Sequence, residues 1–263
     1  MFKAQLVDST VWKKIFESIN AIVTETAISV NEQGLTLMAM DTVHVTMISL
    51  TLVKDDFEVF EIPAKEEYVL GINTTDLLKM LKRADNTDII TLEFVPEERK
   101  LVLKMSRLDS KKSKKFSLSL IDLDATRLPL AQLMEIPLNS IIDIKTKFIH
   151  EALNDAEIYT EAIRIITSSD SITFKSEGSI GEMEYVLEKE EFIVDEQEYK
   201  LGVSEGTFTI NKLKSILKIS SLVESVNLGL ASDAPARLLF NLMEHSKIIY
   251  FLAPRVDQTT EEY

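Results

Sequence analysis

The apolar residues of this chain follow the same order twice, at a nearly constant spacing. When the two halves are laid over each other, their predicted helices and strands coincide at an offset of 136 or 137 positions. An offset shared by helices and strands implies two copies of one fold. The matched pairs are Leu77 with Leu213, Leu81 with Leu217, Leu92 with Leu228, Trp12 with Ile149, Phe16 with Leu153 and Leu35 with Ile172.

Each copy is predicted to contain more strands than helices. Apolar residues at helical spacing begin at Trp12 and Leu77 in the first copy, and at Phe148 and Leu213 in the second. Short alternating runs between them predict about eight or nine strands per copy, one of them at residues 43–52. Two helices cannot cover both faces of a parallel sheet. The pattern therefore predicts an α+β fold, with mainly antiparallel sheet and a helix pair packed on one face.

A segment that contains two prolines joins the copies. Pro129 and Pro137 lack backbone donors, so this connector is predicted to be neither helix nor strand. Its apolar residues, among them Leu128 and Leu130, distinguish it from a flexible tether and predict that it packs against the body of the protein. The predicted boundaries are residues 1–122 for the first domain, 123–137 for the connector and 138–263 for the second domain.

The composition is that of an ordinary globular protein. Apolar residues make up 45% and charged residues 27% of the chain, and no apolar run approaches the ~20 residues of a membrane span. Because cysteine is absent, we expect no disulfide and an intracellular location. The net charge of −14 argues against a nucleic-acid partner unless the basic residues are concentrated on one face.

Basic residues are in fact concentrated on the predicted helices. Three of the four helices have mainly basic outward positions, and this segregation recurs in both copies of an acidic chain. The third helix departs from the pattern, because its Lys147 and His150 lie among acidic residues. The bases assigned to this surface are Lys13, Lys14, Lys79, Lys82, Arg83, Lys147, Lys212, Lys214 and Lys218.

The sequence contains no recognisable catalytic or metal-binding constellation. Its three histidines are scattered and accompany no nucleophile signature, and the HExxH, GxxxxGK[ST] and GxGxxG patterns are absent. Asp122 and Asp124 have no third ligand at a suitable spacing, so we interpret them as loop residues. We therefore expect a protein that is not an enzyme and that has neither a cofactor nor a metal.

A resemblance to one family extends over the whole chain. Residues 40–52, MDTVHVTMISLTL, resemble the MDxxHVxLxxLxL signature of the archaeal and eukaryotic sliding clamp family, proliferating cell nuclear antigen. The resemblance implies two similar domains per subunit, and three subunits closed head to tail into a ring around duplex DNA. Helices would line the hole of this ring. The other matching segments are MFKAQL at 1–6, GIN at 71–73, DIITL at 88–92, LIDLD at 120–124 and LAPR at 252–255.

The resemblance also implies partners and a surface that binds them. In the family the connector packs beside an apolar pocket for a short motif, Gln-x-x-aliphatic-x-x-aromatic-aromatic. DNA polymerase, the clamp loader, flap endonuclease and DNA ligase carry such motifs, which makes the clamp a processivity factor in DNA replication and repair. The matching pocket positions are Met40, His44, Val45, Leu128, Pro129, Leu130, Pro235, Tyr250, Ala253 and Pro254.

Subunit contact is implied at two strand edges. In the family the last strand of the first domain, here residues 115–121, pairs with a strand of the neighbour's second domain, here about residues 179–187. Lysines on the first edge are predicted to face glutamates on the second. The assigned residues are Lys111, Lys112, Lys114, Lys115, Phe116 and Leu118 on one edge and Glu182, Glu184, Tyr185 and Glu188 on the other.

Several alternatives remain open from the sequence alone. The ring is either a homotrimer or a heterotrimer with paralogues. The location would be the cytoplasm or nucleoid of an archaeon, or the nucleus of a eukaryote. A protein-only docking scaffold that does not encircle DNA is the alternative function, and the basic helices argue against it because a scaffold has no need for them.

Overall fold

The computed structural model describes residues 1–6, 8–107, 110–192 and 199–255, without the side chains of residues 110 and 111. The described helices are α1 (Ser9–Asn20), α2 (Thr74–Leu81), α3 (Leu130–Met134), α4 (Thr146–Ala156), α5 (Lys189–Phe192) and α6 (Ile210–Ile216). The described strands are β1 (Phe2–Leu6), β2 (Glu25–Asn31), β3 (Gly34–Met40), β4 (Thr46–Val53), β5 (Val59–Glu61), β6 (Tyr68–Asn73), β7 (Ile89–Val95), β8 (Lys100–Arg107), β9 (Ser110–Ser119), β10 (Ser140–Lys145), β11 (Ala162–Thr167), β12 (Ser171–Gly178), β13 (Gly181–Glu188), β14 (Ser204–Thr209), β15 (Ser225–Leu230), β16 (Ala236–Asn241) and β17 (Lys247–Leu252).

The chain groups into two compact units. Unit 1 contains the first sequence copy and two short segments of the second, whereas unit 2 contains the rest. Their limits are Met1–Leu130, Lys218–Val223 and Phe240–Ile249 for unit 1, and Ala131–Leu217, Glu224–Leu239 and Tyr250–Tyr263 for unit 2.

Antiparallel pairing dominates unit 1. One sheet has the strand order β5-β1-β7-β8-β9, and β4, β3, β2 and β6 are neighbours in that order in another. The first helix starts where Asp8 accepts a hydrogen bond from the backbone N–H of Thr10 (2.7 Å). Trp12, Phe16 and Ile19 then recur at helical spacing and are buried, which fixes the inner face of α1.

The two faces of the five-stranded sheet differ in chemistry, because successive side chains of a strand point to opposite faces. The face that carries buried residues packs against α1 and α2, and we call it the helix face; we call the other the outer face. One row across the helix face reads Leu6, Ile90, Met105 and Lys114. The adjacent row across the outer face reads Gln5, Thr91, Lys104 and Lys115.

Unit 2 repeats this organisation. Its antiparallel strands follow the order β13-β12-β11-β14, and β10, β15 and β16 are also antiparallel neighbours. The α4 helix buries Ile149, Ala152 and Leu153, and α6 buries Leu213 and Ile216. The predicted fold class, mainly antiparallel sheet with a principal helix pair in each copy, is confirmed.

Two local predictions are wrong. The strand predicted at residues 43–52 begins only at Thr46, because the preceding residues form a turn in which His44 has φ 56°. The connector also contains a helix, Leu130–Met134, where we expected neither helix nor strand. Leu, Ala, Gln and Met are good helix formers, and Pro129 immediately before the helix has a backbone angle that suits a helix start.

The segment just before the connector is attached to β6. The backbone N–H of Ile121 donates to the carbonyl of Gly71 (2.9 Å). A Cβ atom on residue 71 would lie 2.3 Å from the carbonyl oxygen of Ile121, so only glycine permits this close approach. Among the described residues, no helix is long and apolar enough to cross a membrane.

Candidate nucleic-acid interface and partner surface

The α1 and α2 helices bring five of the predicted bases together in unit 1. Lys13 and Lys14 lie half-buried on α1, whereas Lys79, Lys82 and Arg83 are exposed on α2 and the turn that follows it. These helices pack against each other along the helix face of the sheet. The result is one basic surface composed of residues from two distant parts of the chain.

Two carboxylates lie within this basic surface. Glu17 is 3.0 Å from Lys14 and 3.9 Å from Lys82, so one acid pairs with bases of both helices. Asp76 pairs with Lys79 at 2.9 Å. These side chains are at least about a third exposed, and pairs of this kind contribute only ~0–1 kcal/mol each, so the bases remain accessible to an external anion.

The predicted bases on α4 and α6 differ in their surroundings. Lys214 lies 2.5 Å from Glu157, and Lys147 is exposed with its ammonium 4.7 Å from the centre of the Phe148 ring. Lys212 is half-buried on the same helix as Lys214. Lys218 is exposed in the 3-10 turn that follows α6, within a segment that groups with unit 1.

His150 adds no charge to α4 at neutral pH. Burial lowers the pKa of its imidazole, and the positive charge of Lys214 lowers it further. The outward positions of α4 therefore combine Lys147 with a neutral imidazole and with Glu151 and Asp155. This helix is the weakest part of the predicted basic surface.

The connector in unit 1 covers a cavity of about 680 Å³. Residues of β2, β3 and β6, together with Glu67, line one part of this cavity, and connector residues 124–128 line the rest. Leu128 and Leu130 are half-buried and Pro129 is exposed. The lining residues are Ala27, Ser29, Thr36, Met38, Glu67, Val69, Asp124, Ala125, Thr126, Arg127 and Leu128.

The last residue of β3, Met40, and the turn that follows it carry three predicted pocket residues, and Asp41 determines the shape of this turn. The carboxylate of Asp41, which is 3% exposed, accepts from the backbone N–H groups of Val45 (2.8 Å) and Thr46 (3.0 Å). The imidazole Nδ1 of His44 lies 3.1 Å from the sulfur of Met40. Sequence analysis did not assign Asp41 a role, although an aspartate before a turn is a known signal for such bonds.

Replacing Asp41 with alanine should lower the free energy of unfolding by ~1–3 kcal/mol, because two backbone donors lose their acceptor. Both bonds go to the same oxygen, Oδ1, so Asp41→Asn retains an acceptor and is the matched control. Urea unfolding of the two variants measures the difference. Equal midpoints for both substitutions would contradict this role of Asp41.

Four predicted pocket residues lie in unit 2. Pro235, Ala253 and Pro254 are half-buried, whereas Tyr250 is 0% exposed. Contact between a partner and Tyr250 stays a prediction, since its side chain has no accessible surface in this structure.

The two predicted subunit edges are strands β9 and β13, each of which has a neighbour on one side only among the described strands. On β9, Lys112, Lys114 and Lys115 are exposed, Phe116 is half-buried and Leu118 is buried. The side chain of Lys111 lies outside the described part of the structure. On β13, the residues Glu182, Glu184 and Glu188 are exposed.

Tyr185 connects the β13 edge to α4. Its hydroxyl donates to the carboxylate of Glu151 (3.1 Å). Burial and this hydrogen bond raise the pKa of Tyr185 to about 12, so the phenol stays protonated across the physiological range. Within the described ranges there is no cluster of three or more His, Asp or Glu residues suited to a metal ion.

The fold and the site together identify the class of protein as the DNA sliding clamps. Its two features here are two copies of a sheet with a packed helix pair, and bases on the outward positions of the helices. Residues 1–127 match the family described as proliferating cell nuclear antigen, N-terminal domain, and residues 133–255 match its C-terminal domain. The chain therefore belongs to the proliferating cell nuclear antigen family. It is also 29% identical over 262 residues to the DNA polymerase sliding clamp of Methanococcus vannielii, a comparison that covers 98% of this chain and 100% of that relative.

Proposed function

We propose that three copies of this chain close head to tail into a ring around duplex DNA and tether DNA polymerase to its template. The observation that carries this proposal is the collection of bases on the helices of a chain with net charge −14. Lysine and arginine contact phosphates without regard to base sequence, which a ring that moves along DNA requires. The ring would hold the polymerase at its template and so raise the effective concentration of the polymerase there, and the chain itself would perform no chemical step.

The connector surface is the proposed binding site for partners. Peptide motifs of the polymerase, the clamp loader, flap endonuclease and DNA ligase would insert their aliphatic and aromatic side chains beside Leu128 and Leu130. Support comes from the half-buried state of both leucines and from the cavity that the connector covers. Leu128 lines this cavity together with apolar Met38 and Val69, and aliphatic or aromatic side chains could pack against these residues.

Neighbouring copies would pair β9 of one subunit with β13 of the next. Both strands have unpaired edges, and a contact between two different edges closes into a ring when the rotation is suitable. On β13 the glutamates share a face with Val186, opposite to Tyr185 and Leu187, because strand residues alternate. Tyr185 contacts Glu151 of α4, so the opposite face, where Glu184 pairs with Lys175 of β12 (2.9 Å), is the one that points away from that helix.

The assembled protein should have a mass of about 89 kDa, three times that of the 29.8 kDa chain. Sedimentation at micromolar concentration and low salt measures it. Glu182→Lys with Glu188→Lys should weaken assembly by up to ~2 kcal/mol, since each exposed pair contributes ~0–1 kcal/mol, and the effect should shrink as salt rises.

The matched control for this change is Glu66→Lys with Glu244→Lys, which makes the same change of charge at two exposed residues outside both strands. A monomeric mass of the wild type would contradict the homotrimer. Assembly that occurs only after paralogues are added would identify a heterotrimer instead.

A further inference from the structure

We propose that Lys112 and Lys114 of β9 extend the DNA-contacting surface from α2 to the edge of unit 1. This inference rests on the proposed function. It gives these two lysines a different role from that of Lys115, although all three lie within four residues of one strand.

Strand geometry places Lys114 on the same face of the sheet as the helices. Lys114 is opposite Met105 in the register of β8 and β9, and Met105 is 1% exposed within the core. Phe116 and Leu118 lie on the same side by alternation. Lys112 lies in an irregular stretch of the register, but it lines the same cleft as Met105 and Lys114 and so lies on this side too. Lys115 points to the outer face, opposite Lys104.

A hydrogen bond places Lys114 beside the basic end of α2. Its ammonium donates to the backbone carbonyl of Arg83 (2.7 Å). A lysine at the C-terminal end of a helix has a structural role, since it satisfies a carbonyl and interacts favourably with the helix dipole. An ammonium has three donors, however, and one bond to a carbonyl leaves its positive charge uncompensated.

The surroundings of the two lysines are basic on balance. Both line a small cleft of about 160 Å³ with Arg107, Asp85 and Asp88. The two carboxylates contact Arg107, at 2.8 Å and 3.3 Å. Among the described residues that line the cleft there are three bases and two acids, and the bond from Lys114 to the carbonyl of Arg83 connects the cleft with the basic surface on α2.

This position has a consequence for the ring. When a neighbour's strand adds to the β9 edge, residues on the helix face stay on the helix face, because adjacent strands share their faces. Lys112 and Lys114 would then lie where two subunits meet, on the side that faces DNA. The outer-face glutamates of β13 can meet Lys115 but not these two lysines.

The test replaces both lysines with glutamine, Lys112→Gln and Lys114→Gln, because glutamine keeps an N–H donor for the Arg83 carbonyl and removes the charge. Lys100→Gln with Lys104→Gln is the matched control, since both residues are exposed on the outer face of β8. Binding of a short fluorescent duplex to the assembled protein is measured by anisotropy at several salt concentrations. Sedimentation checks the mass of each variant.

We expect the logarithmic salt slope to fall by ~0.9 for each lost phosphate contact in the Lys112 and Lys114 variant, and to stay unchanged in the control. Lys112→Arg with Lys114→Arg should restore the slope. An unchanged slope, an equal fall in the control, or loss of assembly would overturn the inference. Absence of salt-dependent binding in the wild type would overturn the proposed function itself, and with it this inference.

Discussion

Charge reversal at Lys79, Lys82 and Arg83 should abolish most of the affinity for duplex DNA while the assembled mass stays the same. All three side chains are exposed, so glutamate at these positions disturbs no core. Three lost phosphate contacts lower the logarithmic salt slope by ~2.7, and the new carboxylates add repulsion. Duplex binding and polymerase stimulation, each measured across a range of salt concentrations, report the change.

The control reverses the charge of three other lysines that lie away from this surface. Lys54, Lys65 and Lys100 are exposed outside α1 to α6, and their replacement by glutamate leaves the basic surface intact. The reversal on α2 should lose its effect at high salt, where phosphate contacts contribute little. Unchanged binding at low salt would point to a scaffold that does not encircle DNA.

Truncation of Leu128 and Leu130 to alanine should weaken partner-peptide binding at least tenfold, or ~1.4 kcal/mol. Each fully buried aliphatic or aromatic anchor of a peptide gains ~1.5–3 kcal/mol, and ordering the peptide offsets part of that gain. A net ~7–9 kcal/mol corresponds to a dissociation constant near micromolar. Both leucines are half-buried connector residues, so their loss removes binding surface without opening the core of either unit.

Calorimetric titration of a Gln-x-x-aliphatic-x-x-aromatic-aromatic peptide measures this loss. Val203→Ala is a suitable control, because Val203 is 75% exposed and lies outside the proposed pocket. Tyr250→Ala is a poor test, since Tyr250 is fully buried and its truncation would leave a cavity in the core. Equal affinities for the wild type and the double truncation would show that partners bind elsewhere.

The repeat and its helices were predictable because the buried residues of a helix recur every three or four positions along the sequence. Trp12 and Phe16 recur at helical spacing, and the structure buries both on α1. The two faces of β9 were also present in the sequence, since Lys112 and Lys114 share the parity of Phe116 and Leu118. Because the lysines of β9 lie close together along the chain, we predicted that all of them face the neighbouring subunit and did not separate the two faces of the strand.

The pairing and burial of individual side chains could not be predicted from the sequence, because they depend on contacts between distant residues. Glu17 reaches Lys82, and Lys13 donates to the side chain of Asn86 (3.1 Å), only because α1 and α2 pack together. The burial of Tyr250 likewise depends on the surrounding tertiary structure and has no local signal. The connector helix was missed because two prolines suggested extended backbone, whereas the residues between them favour a helical turn.

Glu17 has a consequence for motion along DNA. Its carboxylate acts as a counterion that belongs to the protein, because it lies close to both Lys14 and Lys82. In the proposed ring, a phosphate that approached these lysines would compete with Glu17, and the carboxylate would pair with them again when the phosphate left. Each step along the duplex would then replace one anion with another, so that neither lysine would have to lose its counterion.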